Sequence, residues 1–236
     1  MHTRLDNLLA HILCVAAALL LPLLIGAMTI THSLNPTYPA AAYRVLPSDA
    51  HGFTESERLD LSLITLAYLR HPAPPPTAIR LLSRQRLPGG DQPLFNEREL
   101  GHLVDVKTLT DAIRIGGMRA AAALAVIFTW LLSRATTRPH AFRVLQWSGS
   151  IIAVLVAALL LVISLGWPFF FIGLHQILFP PNSWTFAGTD TLIRLFPNAF
   201  WYGYGQSLVV TLCGAALLLH ALGKGLARYS ARQPEI

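Results

Sequence analysis

Four apolar runs constrain this chain more than any other feature. They are Leu8–Met28, Gly116–Ser133, Ser148–Trp167 and Gln206–Gly223. Each approaches the roughly 20 residues that cross about 30 Å of hydrocarbon as a helix. A segment in hydrocarbon has no outside partner for its amides, so each run must be helical. Of the 236 residues, 53% are hydrophobic and 13% charged, which is too apolar for an ordinary soluble domain. The expected fold is all-α: a polytopic membrane protein with four transmembrane helices and a helical extracytoplasmic cap. It reads as one integral membrane domain over residues 1–236, with an outer cap at 29–115 and an outer aromatic loop at 168–205.

The first run is longer than a secretory h-region of about 7–15 residues, and no clean A-x-A site follows. It reads as an uncleaved anchor, bent at Pro22. Cys14 has no lipobox before it. Cys14 and Cys213 both sit in apolar runs and read as small packing residues.

Charge sets the orientation. Arg134, Arg138 and Arg143 crowd one short connection, Lys224, Arg228 and Arg232 the tail, and Arg4 precedes the first run. These seven cations, against Asp6 and Glu235, mark the cytoplasmic side and put both termini there. Residues 29–115 carry nine Lys/Arg and nine Asp/Glu, hence no net charge. The net charge of +6 is therefore a topology signal and not a nucleic-acid footprint.

The outer segments carry the candidate chemistry. Thr54 and Glu57 form a capping box ahead of a helix that the prolines at 72–76 stop. A short basic stretch follows with Arg80, Arg84 and Arg86. It reads as a solvated helix packed on the cap, with contact to anionic lipid headgroups as the sharper alternative. Asn96 caps the next helix, with Glu99 three residues on. Glu99, His102 and Asp105 recur every three residues and share one broad side of it. A histidine between two carboxylates tends to be oriented and basic, although ordinary surface pairs have the same spacing. Gly116 and Gly117 allow a bend into the second span. Beyond the third span, Pro168 starts and Pro180–Pro181 end a short aromatic helix around His175. Trp184, Asp190 and Arg194 follow it as polar or amphipathic residues able to line a site.

Two of these segments, ERELGHLVDVK (Glu97–Lys107) and FFIGLHQILFPPNSWTFAGTDTLIRLFPNAFW (Phe170–Trp201), resemble the signature blocks of the lipoprotein intramolecular transacylase family. So does the layout: a span, a long outer cap, two spans, an aromatic loop and a final span. FTESERL and the following AYL are similar to the family's cap helix. The FPPN stretch is a departure that bears on loop shape.

The resemblance implies a cofactor-independent acyltransferase of the bacterial cytoplasmic membrane, multi-pass, with its site at the outer leaflet. Its partners would be diacylated lipoproteins and membrane lipid. It would move the sn-2 acyl chain of a diacylglyceryl-cysteine to the N-terminal α-amine, leaving an N-acyl lyso-form lipoprotein. His102 and His175 fall at the family's functional histidines. Either the two divide the proton transfers, or His175 forms an acyl-imidazole with His102 as base; the sequence leaves both open. Glu99 and Asp105 would orient His102, and Arg98, Lys107, Trp184 or backbone amides would serve the oxyanion.

Three other readings compete. A metal-dependent membrane hydrolase would use His102, His175 and a carboxylate, but no HExxH is present. His11 and His220 would hold a haem from two spans, against the plainer reading of histidines near headgroups. A non-enzymatic transport or assembly component would show charges within the spans, and these runs have almost none.

Overall fold

The computed structural model of the chain describes residues 2–232, with side chains from Asp6 onward. The Arg4 side chain and Glu235, counted above among the cytoplasmic charges, lie outside the described residues. The regular elements of the described chain are all helices. In order come α1 (His2–Ser33), α2 (Thr37–Ala42), α3 (Glu55–Arg70), α4 (Pro75–Ala78), α5 (Arg80–Ser83), α6 (Glu97–Leu132), α7 (Arg138–Ser164), α8 (Trp167–Leu178), α9 (Thr191–Leu195) and α10 (Asn198–Arg232). Among the described residues, the only β pairing is an isolated bridge between Arg86 and Pro93. Helices α1, α6, α7 and α10 are long and apolar enough to cross a membrane. Each of the four predicted runs falls within or overlaps one of them.

The chain divides into two compact units, residues 1–29, 114–162 and 208–236, and residues 30–113 and 163–207. The first unit holds the apolar parts of the four long helices. Its packing uses small residues: Ala10, Cys14 and Ala17 of α1 are buried against Leu124 and Leu131 of α6 and Ala141 and Val144 of α7. A second cluster joins Ile152 and Val156 of α7 to Ala216 of α10. Large apolar side chains such as Leu23, Val126, Val154, Leu161 and Leu217 are exposed, as expected of surfaces solvated by lipid.

Gly116 and Gly117 both lie inside α6. α6 runs unbroken through both as one 36-residue helix, about 54 Å long at 1.5 Å per residue. The glycine at 117 serves close approach, since a Cβ there would lie 2.9 Å from the Cβ of Ala27 on α1. Gly149 does the same between α7 and α10, where a Cβ would meet the Ala216 carbonyl oxygen at 2.6 Å. Small residues at helix crossings are the usual way for membrane helices to gain van der Waals contact. Pro22 is accommodated within a continuous α1.

The second unit is built on Tyr43, Leu61, Tyr68, Leu82, Leu94, Phe95, Leu103, Leu195 and Phe200, all buried in one cluster. The Thr54 capping box at the start of α3 is present as predicted, with the Thr54 hydroxyl accepting from Glu57 N and the Glu57 carboxylate accepting from Thr54 N. The basic stretch after the prolines forms the two short helices α4 and α5 rather than one longer amphipathic helix. The backbone then turns, with Leu87 N donating to Gln92 O and Leu94 N to Gln85 O.

Gly149→Ala tests the close crossing. At an unconstrained helix position this change gains up to about 1 kcal/mol. Here the added methyl strikes backbone, and a loss of about 1–3 kcal/mol is expected. Thermal unfolding in detergent reads the sign, and a raised Tm would contradict the packing.

Candidate active site

His102 and His175 come from helices far apart in sequence and meet in one cavity. His102 lies on α6, N-terminal to the apolar run, and is 7% exposed. His175 lies on the last turn of α8. Their rings are near parallel, 28° apart, with centroids separated by 6.3 Å. Aromatic side chains enclose both. Phe179 and Phe186 stand against His102 at 4.8 and 5.5 Å. Phe171, Trp184 and Phe179 stand against His175 at 4.1, 5.2 and 5.4 Å.

The cavity is about 130 Å³, with walls that are mostly apolar: Leu66, Leu103, Val106, Phe196 and Trp201 among them. Few polar groups face it. Apart from the imidazoles they include Ser33, Tyr38 and Tyr204, whose hydroxyl protons have internal partners. Ser33 donates to Ile30 O and bonds the Tyr204 hydroxyl, while Tyr38 donates to Phe200 O at 2.6 Å.

The two imidazoles differ in their bonds. The His175 Nδ1 lies 2.8 Å from the Phe171 carbonyl oxygen. A carbonyl only accepts, so Nδ1 carries the proton and Nε2 keeps its lone pair. His102 has no hydrogen bond among the described residues, and its Nδ1 is buried without a partner. Burial favours the uncharged ring in both. It lowers the His175 pKa below the ordinary 6.5. Burial, with the neighbouring His175 as a second cause, lowers that of His102 to about 4. Both are therefore neutral at neutral pH and able to accept a proton.

The expected supporting residues are placed differently from one another. Trp184 lines the cavity beside His175. Glu99 and Asp105 share the broad side of α6 with His102 but do not bond it. Glu99 is buried, and its two oxygens accept from Leu192 N at 2.6 Å and Asn96 N at 2.7 Å. It thereby completes the capping box of α6 and secures the start of α9. Burial pushes its carboxyl above the ordinary value despite those bonds. Asp105 is half-buried, and the Tyr68 phenol is raised mainly by its own burial, with Asp111 and then Asp105 adding to it.

Arg98 pairs with Asp190 at 3.1 Å and lies over Phe186. Lys107 is fully buried, donating to His71 O at 2.7 Å and pairing with Asp111 at 3.1 Å. Its ammonium holds the end of α3 against α6 and is not directed at the cavity. Asp190 and Arg194, weighed as lining groups, are likewise in ion pairs, the latter with Asp49 at 2.7 Å. Sequence reasoning missed Phe179 as a ring packed on both imidazoles, and Phe186, Tyr38 and Tyr204 as lining residues. Only Phe179 lies near a candidate histidine in sequence, and the others reach the site from loops and helix ends that carry no periodic signal.

Among the described residues no three His, Cys, Asp or Glu side chains converge as a metal-ligand set. His11 and His220 have separate neighbours. The His11 ring meets His140 edge-on at 4.7 Å, and His220 Nδ1 lies 3.4 Å from Gln146 O.

The family described as "Lipoprotein intramolecular transacylase Lit" matches residues 13–201, most of the chain and both histidine blocks. This chain belongs to the lipoprotein intramolecular transacylase family. Its fold is similar to solved structures of the Bacillus cereus member of that family. One has a TM-score of 0.79 at 17% identity and covers 96% of this chain and 100% of that one. A second, of the same protein with a histidine replaced by alanine, has a TM-score of 0.75 at 15% identity over 99% and 100%. An uncharacterised protein of Aquifex aeolicus (strain VF5) is 30% identical over 156 residues, 66% of this chain and 66% of that protein.

The neutral state of the imidazoles has a direct readout. In detergent at pH 6, ¹⁵N-labelled His102 should remain uncharged, and His175 should carry less charge than a free imidazole does. As pH falls, His175 should titrate below 6.5 and His102 near 4. The two protonations should progressively remove stability that is fully present above 6.5. Titration of both rings at about 6.5 would show that the cavity does not desolvate them.

Proposed function

We propose that this protein moves the sn-2 acyl chain of a diacylglyceryl-cysteine lipoprotein onto its own N-terminal α-amine, with His102 and His175 as the groups that handle protons. The single observation that carries this reading is a pair of neutral imidazoles facing one apolar cavity, in a chain of the transacylase family. The substrate brings both reactants on one molecule, so the chemistry asks for positioning and proton transfer rather than for an energy source.

The amine must reach its uncharged form, from an ordinary pKa of about 7.7–8.0. Its nitrogen then attacks the ester carbonyl carbon. The His175 Nε2 lone pair is set to take the proton that the new C–N bond releases. The carbonyl oxygen passes through an oxyanion, the C–O bond to glycerol breaks, and the glycerol oxygen takes up a proton. An amide and a free glycerol hydroxyl result. His102 is the second group able to carry a proton between the two heteroatoms. The apolar wall provides the surface against which acyl chains are held. An initial attack by His175 Nε2 to give an acyl-imidazole uses the same lone pair and the same cavity.

Neither Glu99 nor Asp105 bonds an imidazole among the described residues, so any part Asp105 has in orienting His102 is indirect. Asp105→Asn is accordingly expected to keep activity within a few-fold. His102→Ala and His175→Ala should each lower transfer by about 10²–10⁴-fold or more while leaving membrane insertion intact. His11→Ala and His220→Ala should leave it nearly unchanged. Mass spectrometry of a lipoprotein's N-terminal peptide, from cells carrying each variant, distinguishes the diacylglyceryl form from the N-acyl lyso form. Normal production of the lyso form by the His175 variant would end this assignment.

The bacterial cytoplasmic membrane is the proposed location, with both termini inside and the histidine cavity at the outer leaflet. The arginines at 134, 138 and 143 support that orientation. A cysteine introduced at the exposed Thr136 should resist a membrane-impermeant thiol reagent added to intact cells. Labelling there from outside would reverse the topology.

A further inference from the structure

A second concavity of about 260 Å³ lies away from the histidines and, unlike the first, is lined by two arginines. Its lining is His71, Thr77, Ala78, Arg80, Leu81, Arg84 and Gln85. Arg80 and Arg84 are four residues apart across α5, with Thr77 one turn earlier. Like charges at this spacing repel each other unless an anion lies between them. Elsewhere in the same unit, Arg98, Lys107 and Arg194 each have a carboxylate. Arg80 and Arg84 have no ion partner among the described residues, and both are exposed.

The other lining groups also present protons. His71 Nδ1 accepts from Ala73 N at 3.1 Å, so its proton sits on Nε2 as a donor. The His71 backbone is held by Lys107 Nζ at 2.7 Å, which fixes this edge of the pocket. Leu81, 40% exposed, gives the same pocket an apolar side.

We propose that this pocket binds the phosphate of an anionic phospholipid headgroup, with Arg80 and Arg84 as the charged clamp. Guanidinium pairs match phosphate oxygens in both charge and fork geometry. In this reading the exposed Leu81 side chain is the apolar contact for the lipid's glycerol and first methylenes. Phospholipid is the phosphate source that a membrane protein meets at highest local concentration. The pocket is separate from the histidine cavity, so the inference stands or falls independently of acyl transfer.

The test uses the full-length protein in detergent freed of phospholipid. Native mass spectrometry and thermal shift follow titration with short-chain phosphatidylglycerol, the matching diacylglycerol, and inorganic phosphate. The expected result is saturable binding of phosphatidylglycerol with a raised Tm, and little effect of the phosphate-free diacylglycerol. Arg80→Gln/Arg84→Gln should weaken that binding about 30-fold, at roughly fivefold for each surface charge. Arg86→Gln should bind as the wild type does, because that guanidinium is already committed to Ser83 O and Gln85 O. Three results would overturn the proposal: the double variant binding as tightly as the wild type, all three arginine changes weakening binding equally, or inorganic phosphate occupying the site while the lipid does not.

Discussion

A backbone amide in hydrocarbon has no partner except its own helix, and the architecture of this chain follows from that restriction. It makes every apolar run a helix and removes the hydrophobic force that would otherwise pull helices together. What remains is contact, and contact requires small residues where backbones cross. Ala10, Cys14 and Ala17 on one helix, Gly117 facing Ala27, and Gly149 facing Ala216 meet that need. The large aliphatic side chains turn outward instead, the reverse of a soluble core.

The second unit follows soluble-protein rules, with buried leucines and aromatics secured by a few buried polar groups. Two of the charged ones, Glu99 and Lys107, flank His102 on the same helix. Glu99 accepts two backbone N–H groups, one at the start of α6 and one at the start of α9. Lys107 satisfies carbonyls at the end of α3. Each is a charge whose burial is offset by hydrogen bonds to otherwise orphaned helix-end groups. They fix the segment that carries His102 without touching the ring. Their contribution to the site is position, and the electrostatics at the imidazole are set by desolvation instead.

Desolvation is also the property an acyl-transfer site of this kind can use. A neutral imidazole is a base, and a charged one is not. An aromatic enclosure keeps the neutral form favoured well below the ordinary histidine range while providing a surface for acyl chains. The single backbone bond from His175 to Phe171 then selects which nitrogen is available. Few polar partners are required, and the cavity has few.

The apolar runs, the caps at Thr54 and Asn96, the proline stops and the positions of His102 and His175 were all legible in the residues. They are local or compositional facts, written in periodicity and spacing. Three features were not. The glycines at 116 and 117 suggested a bend, but a glycine is equally a place where another helix comes close, and the neighbour of Gly117 at Ala27 is visible only in the fold. The carboxylates beside His102 suggested an orienting pair, since helical spacing puts them on one side. Which way a carboxylate turns depends on what lies opposite, and for Glu99 that is the amide of Leu192, distant in sequence. That the two histidines share a site was implied only by the family resemblance, and the Phe179 and Phe186 rings around them are a long-range arrangement with no local signature. The sequence by itself determined the helices and the chemical types available to the site. The tertiary structure decided which groups face each other and which are desolvated, because burial and contact depend on residues from other parts of the chain.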